Sequence, residues 1–187
     1  MIESKEYNNE LNKLKCCVII PTYNNEKTIS SVIDSVSLFC NNIIVVNDGA
    51  TDNTKQILLS HSHITIIDYS KNKGKGYALR QGFKKAVELG FDYAITIDSD
   101  GQHYADDIPT FIEKIKENPG ALLVGSRNLN SENMPGKNSF GNKFSNFWFK
   151  LETDIDLPDT QSGFRLYPVG ALRKTKWFCN KYEFEIE

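Results

Sequence analysis

Two carboxylates stand two residues apart in Ile97-Asp98-Ser99-Asp100-Gly101-Gln102-His103, directly after the apolar run that ends at Ile97. At the end of a strand, residues i and i+2 can project to the same side. Hard divalent cations such as Mg²⁺ or Mn²⁺ take a few carboxylate oxygens together with substrate phosphates, so Asp-x-Asp suits a metal held on a phosphorylated ligand. The competing explanation is a turn that uses Asp and Gly for their backbone habits.

The distribution of charge favours the chemical explanation. Between positions 71 and 85 the chain carries six basic residues and no acid: Lys71, Lys73, Lys75, Arg80, Lys84 and Lys85. Between 92 and 107 it carries five acids and neither Lys nor Arg. Lys73-Gly74-Lys75-Gly76 falls where a helix is expected to begin. There, glycines permit close backbone approach and a helix N-terminus attracts phosphate. Lys84 and Lys85 read as a solvated helix face. A dinucleotide fingerprint is excluded, because Pro21-Thr22-Tyr23-Asn24-Asn25-Glu26 after the first apolar run has no glycine, and no Walker loop occurs. Asp48 closes the second apolar run, a place from which a carboxylate can accept hydrogen bonds from a ribose or base, or cap a turn.

The elements that must position these residues alternate. Apolar runs at 16–20, 43–46, 63–67, 93–97 and 121–124 read as strands. Between them lie helical stripes: Ile29, Val32, Ile33 and Val36; a short helix from Asp52; Leu79, Phe83, Ala86 and Val87, closed by Gly90; and Phe111, Ile112 and Ile115 behind Pro109. Continuous apolar strands alternating with helices predict an α/β fold, a mostly parallel sheet with helices on both faces. Ligands of such sheets bind outside the carboxyl ends of the strands. After Gly125 a polar loop leads to an aromatic stretch, Phe140, Phe144, Phe147, Trp148 and Phe149. It reads as core, as lining of an acceptor groove, or as rings at a bilayer interface.

The chain has 187 residues, 40% hydrophobic and 25% charged, which suits one domain with an unaided core. Its net charge of −2 argues against a nucleic-acid binder. Cys16, Cys17, Cys40 and Cys179 have neither zinc-site nor disulfide-framework spacing and suit reduced thiols in the cytoplasm. Residues 1–15 read as a polar extension, with no signal-peptide core, and no run approaches the ~20 apolar residues of a membrane span. Residues 16–187 read as the domain. The chain ends inside the strand-like 182–187, with no turn after it, which reads as a piece of a longer protein.

Six strings occur in order: Ile20-Pro21-Thr22-Tyr23-Asn24-Asn25-Glu26, Val46-Asn47-Asp48-Gly49-Ala50-Thr51-Asp52, Asn72-Lys73-Gly74-Lys75-Gly76, Asp98-Ser99-Asp100-Gly101-Gln102, Gly125-Ser126-Arg127 and Asp159-Thr160-Gln161-Ser162-Gly163-Phe164-Arg165. Together they resemble the family 2 glycosyltransferases of GT-A fold, above all the dolichyl-phosphate mannosyltransferase and polyprenyl-phosphate sugar synthase branch. The resemblance covers about residues 16 to 187. It implies that Pro21, Tyr23, Glu26 and Asp48 surround the nucleoside with Lys75 nearby, and that Asp98 and Asp100, helped by Gln102, hold Mg²⁺ or Mn²⁺ on the diphosphate. It also implies that Arg127 and Arg165 stand near the donor and acceptor phosphates, a task suited to bidentate guanidinium groups.

The activity so implied is inverting transfer of a sugar from a UDP- or GDP-sugar to a polyprenyl phosphate, at the cytoplasmic face of the membrane or free in the cytoplasm, with peripheral membrane contact. An acceptor hydroxyl, as in transfer to a cell-surface saccharide, would need a general base, and Asp159 is the candidate. A phosphate acceptor is already anionic, and Asp159 would then position groups or serve as a turn residue after Pro158. His103 reads as a loop residue beside the site or as a further metal ligand, and His61 and His63 as structural. Two other classes compete: a nucleotidyltransferase, which would release pyrophosphate, and a nucleotide-binding module without chemistry.

Overall fold

The computed structural model describes residues 2–102, 105–125 and 162–172. A first helix, α1 (Ile2–Lys13), leads into β1 (Cys16–Thr22), then α2 (Ile29–Ser37), β2 (Ile43–Asn47), α3 (Thr54–Ser60) and β3 (Thr65–Asp68). There follow α4 (Lys75–Glu88), β4 (Tyr93–Thr96), a 3₁₀ turn (Ala105–Asp107), α5 (Ile108–Glu117), β5 (Leu123–Val124), β6 (Arg165–Pro168) and a helical turn, Val169–Leu172. The strand order is β3-β2-β1-β4-β6-β5. β1 pairs parallel with both β2 and β4, and β2 pairs parallel with β3.

β1 is buried at all seven positions, as a strand covered on both faces must be. Its side chains alternate between two cores. Cys16, Val18 and Ile20 pack with Ile29, Ile33 and Val36 of α2 and with Ile108, Ile112 and Ile115 of α5. Cys17 and Ile19 pack with Ala78, Leu79, Phe83 and Ala86 of α4. The adjacent cysteines therefore face opposite layers, and burial pushes the Cys16 and Cys17 thiols far up, which keeps them inert.

Four differences from the sequence-based expectations have physical causes. β1 does not stop at Pro21 but runs to Thr22, with Pro21 opposite Val46. The β1–β4 register ends at Ile19 and Thr96, so at Pro21 the strand has a neighbour on one side and can do without an N–H on the other. Residues 121–124 do not extend the parallel sheet. β5 is two residues long and is separated from β4 by β6, which runs antiparallel to both, with Arg165 opposite Thr96 and Val124. β6 is too short to show a period, and its pairing is with chain about 70 residues away. The helix expected behind Asn24 and Asn25 begins instead at Ile29, with Thr28 as its N-cap.

The fourth difference lies at the N-terminus, where the polar extension contains α1. Leu11 is fully buried in the core beneath α2 and α5, while Glu10 receives Lys13 and, from α5, Lys116. His61 and His63 are structural, as their position suggests: their Nε2 atoms meet Ser30 Oγ at 3.2 Å and Ser37 Oγ at 3.0 Å. Among the described residues no helix is long and apolar enough to cross a membrane.

Truncating Leu11 to Ala should cost about 2–4 kcal/mol, the range for deleting a buried leucine side chain, read by urea unfolding. Hydrogen bonds and charge from Lys116, then Lys13, hold the Glu10 carboxyl down at about 2, against 4.5 ordinarily. A depressed carboxyl contributes stability that is complete above its unfolded value and is lost as pH falls through the folded one. Unfolding midpoints of wild type and Lys116→Met should therefore converge as pH drops from about 4.5 towards 2, and a gap that does not close would refute the pairing.

Candidate functional site

Strand order reverses at β1: the chain proceeds outward through β2 and β3, then returns to place β4 on the other side of β1. Beyond the carboxyl ends of these strands the crevice opens, where such sheets place ligands. It is a cleft of about 660 Å³ lined by Pro21, Thr22, Tyr23 and Asn25 after β1, Asp48 after β2, residues 72–75 and Ala78 at the start of α4, and Asp98, Ser99 and Asp100 after β4.

The basic wall is set by Asp48. This carboxylate is 3% exposed, and its two oxygens accept the backbone N–H groups of Lys73 at 2.9 Å and Gly74 at 2.8 Å. Gly74, the N-cap of α4, has no side chain to satisfy that helix end, so a carboxylate from the next strand does so. The approach requires glycine at position 49. Its φ is +71°, and a Cβ there would lie 2.5 Å from the Lys71 carbonyl carbon. The capping role considered for Asp48 is thus the one seen. Each oxygen keeps further acceptor capacity at the cleft wall.

Lys75, the first residue of α4, puts a positive charge at the positive end of a helix dipole, locally the wrong sign. The charge is balanced across the cleft, where Lys75 Nζ lies 2.7 Å from Asp98 Oδ1. Asp98 is fixed from behind by the turn at 162–163. Thr96 Oγ1 donates to Gly163 O at 2.8 Å, and Arg165 Nε donates to Ser162 O at 2.8 Å. A Cβ on Gly163 would stand 2.3 Å from Asp98 Oδ2, so only glycine lets this turn close against the carboxylate.

Asp100 is exposed at the cleft, and its Oδ1 accepts the Gln102 N–H at 2.9 Å, the turn habit that competes with the metal interpretation. Asp98 and Asp100 do share one wall, and no group of three or more His, Cys, Asp or Glu that could hold a metal occurs among the described residues. Two carboxylates opposite a basic helix start fit a hard cation that takes its remaining ligands from phosphate oxygens. A polar ligand is also suited by Thr22, 3% exposed in the cleft wall, whose Oγ1 has no hydrogen-bond partner among the described residues. Tyr23, 44% exposed at the same wall, offers a ring face. Beside the basic wall, Lys73 Nζ lies 4.5 Å from the ring centre of Tyr77. The neighbouring Tyr69 phenol is pushed up by burial, with the Asp48 charge adding to it.

Of the residues singled out in the sequence, Pro21, Tyr23, Asp48, Lys75, Asp98 and Asp100 converge on this cleft. Glu26, Gln102 and Arg165 are not among its lining residues. Glu26 instead accepts the Asn53 N–H at 3.0 Å, while its own N–H donates to Asp52, which ties the loop after β1 to the start of α3. Arg165 is 5% exposed within β6. Arg127, Asp159 and His103 lie outside the described residues, as do the aromatic stretch at 140–149 and the strand-like 182–187. Sequence reasoning missed Thr22, Ser99 and Gly163 as site residues, though each stands inside a motif it quoted.

Residues 17–176 match the family described as Glycosyl transferase family 2. The chain belongs to that family. It is 36% identical over 176 residues, 83% of this chain and 70% of the relative, to the UDP-N-acetylglucosamine–dolichyl-phosphate N-acetylglucosaminyltransferase of Methanococcus voltae. It is 26% identical to the polyprenol monophosphomannose synthase of Mycolicibacterium smegmatis, covering 84% of this chain and 63% of that protein. The fold matches glucosyl-3-phosphoglycerate synthase of Mycobacterium tuberculosis, solved with Mn²⁺ and UDP-glucose, with a TM-score of 0.74 at 23% identity. That match spans 98% of this chain and 66% of the solved one. The family 2 domain is therefore a mostly parallel α/β sheet of GT-A type, with β6 as the strand that runs antiparallel to its neighbours β4 and β5.

Gly163→Ala should displace the Asp98 carboxylate and open the Lys75–Asp98 pair while leaving the two cores intact. The expected outcome is at least a tenfold weaker affinity for a nucleoside diphosphate with Mn²⁺, by calorimetry, at an unfolding midpoint within a few degrees of wild type. Unchanged affinity would show that Asp98 takes no part.

Proposed function

We propose that this family 2 domain transfers a sugar, with inversion, from a UDP- or GDP-sugar to a polyprenyl (dolichyl-type) phosphate. The observation that carries the proposal is the Asp98–Lys75 pair across one cleft, with Asp100 beside it and Tyr23 at the wall. It combines an acidic edge for a cation, a basic helix start for a diphosphate and an aromatic face for a base. The names of relatives support the lipid acceptor: two are dolichyl-phosphate N-acetylglucosaminyl- and glucosyltransferases and a third is a polyprenol monophosphomannose synthase.

In the proposed mechanism Tyr23 stacks on the base, while Thr22 and Asp48 supply polar contacts to the nucleoside. Asp98 and Asp100 would hold Mg²⁺ or Mn²⁺, which supplies Lewis-acid stabilisation of charge on the leaving diphosphate. Lys75 leaves Asp98 as the donor binds and turns its ammonium to the phosphates, so that the pair's two charges each gain a partner from the ligand. Arg127 and Arg165 serve the phosphates of donor and acceptor, Arg165 by bracing the 162–163 turn behind Asp98. The phosphate acceptor attacks as an anion and needs no base, and Asp159 positions neighbouring groups or anchors its loop without taking a proton. Acceptor binding brings the domain to the membrane surface.

The test is thermal unfolding with UDP and GDP, each with and without Mn²⁺. Ligand at 100 times its dissociation constant should add about 2.7 kcal/mol, roughly 5–10 °C for a domain of this size. The shift should need metal, be selective for one base, and vanish in Asp100→Asn. With a polyprenyl phosphate and the matching donor, the product should be a nucleoside diphosphate. Pyrophosphate released from a nucleoside triphosphate would instead mark a nucleotidyltransferase, and transfer only to soluble saccharides would remove the lipid acceptor.

Lys75→Met gives a second, sign-specific outcome. Metal alone should bind more tightly than to wild type, because Asp98 loses its resident cation, whereas metal with nucleotide should bind more weakly. Both affinities falling together would contradict the exchange.

A further inference from the structure

Between the two acidic residues stands Ser99, 4% exposed, and its hydroxyl and carbonyl are held by the segment that follows β1. Its hydroxyl accepts a hydrogen bond from Asn25 Nδ2 at 2.7 Å, and its carbonyl accepts one from Thr28 Oγ1 at 2.6 Å. Thr28 is the N-cap of α2, a position where a threonine hydroxyl ordinarily satisfies its own helix, yet it makes no such bond. The hydroxyl is committed across the cleft floor, 71 residues away in sequence. The Thr28 methyl also faces the turn at Gly101, 4.0 Å from where a Cβ would be. Asn25 is anchored in turn: its N–H donates to Thr54 Oγ1 at 3.0 Å, and its amide also reaches Tyr23 O at 3.3 Å.

We infer that Asn25 and Thr28 are positioning residues for the Asp98-Ser99-Asp100 loop, setting the two carboxylates in register with Tyr23. Thr28 is not among the cleft-lining residues, and Asn25, which is, spends its side-chain amide on Ser99 Oγ and Tyr23 O. They act through Ser99, whose two hydrogen bonds leave the loop little freedom to slide along the end of β4. Two acids this close repel one another when both are charged, and the two hydrogen bonds to Ser99 oppose their separation. The same loop after β1 thus presents the ring on one side and fixes the metal edge on the other, so base recognition and cation placement share one rigid support. The inference rests on the proposed metal and nucleotide site.

The experiment measures Mn²⁺ affinity in the presence of saturating nucleoside diphosphate, and nucleotide affinity without metal, by calorimetry on wild type, Thr28→Val, Thr28→Ser and Ser99→Ala. Thr28→Val keeps the side-chain shape and removes the hydroxyl. It should weaken the metal step about tenfold, the equivalent of one lost hydrogen bond in a buried setting. The metal-free nucleotide affinity should stay within about twofold, and Thr28→Ser should restore the metal step. Ser99→Ala, which removes only the Asn25 contact, should weaken the same step in the same direction and keeps the test decisive if Thr28→Val lowers folding yield. Metal affinity unchanged in both variants, or metal-free nucleotide affinity falling in parallel, would overturn the positioning role. Wild type showing no metal-dependent nucleotide binding would instead sink the function reading, and the inference with it.

Discussion

Burial of β1 on both faces is the constraint from which the rest follows. A strand flanked by β2 and β4 and covered by α2, α5 and α4 is apolar from Cys16 to Pro21 and turns polar only at its last residue, Thr22. The same holds for β2, apolar from Ile43 to Val46 and polar at Asn47 and then Asp48, and β4 turns polar at Thr96 and, past Ile97, at Asp98. Three parallel strands that turn polar at the same end bring Thr22, Asp48 and Asp98 to one cleft. The cleft is a consequence of the sheet as much as of the loops around it.

Two carboxylates at this edge are stabilised by different means, and the contrast explains their different tasks. Asp48 is satisfied by backbone N–H groups that cannot leave it, so it fixes the basic loop. Asp98 is satisfied by the ammonium of Lys75, a flexible group that can be exchanged for another cation. A permanent partner suits Asp48 to holding the loop, and a replaceable one suits Asp98 to the cation exchange proposed above. Lys75 itself sits against its helix dipole, and such a local conflict is expected where function rather than folding selects the residue.

Most of this arrangement was legible in the chain because its signals are local. The apolar runs of β1, β2 and β4 and the stripes of α2, α4 and α5 gave the sheet and its layers, and their parallel sense pointed to the carboxyl ends of the strands, while the switch point at β1 needed the strand order of the folded chain. β6 was not legible, since four residues show no period and their partner, Tyr93–Thr96, is far away in sequence. α1 was hidden for another reason. Its composition is polar, and a single fully buried leucine, Leu11, with one bridging acid attaches it to α5. Among the site residues, charge pointed to Lys75, Asp98 and Asp100, whereas Ser99 and Thr28 matter through hydrogen bonds that only the folded chain brings together.

Asp and Gly at a strand end support both a turn and a cation, and the structure shows why the two explanations do not exclude one another. Asp100 Oδ1 closes the turn on the Gln102 N–H, and this bond orients the carboxylate toward the cleft it lines. Glu26 marks the limit of such sharing. Its carboxylate is likewise committed to a backbone N–H, that of Asn53, yet the contact draws it to the start of α3 and away from the cleft lining. Which of these acids line the cleft therefore follows from where their backbone partners lie. The motif strings therefore resolve, on folding, into residues that line the cleft, such as Asp98 and Asp100, and residues such as Glu26 that tie a loop to its neighbour.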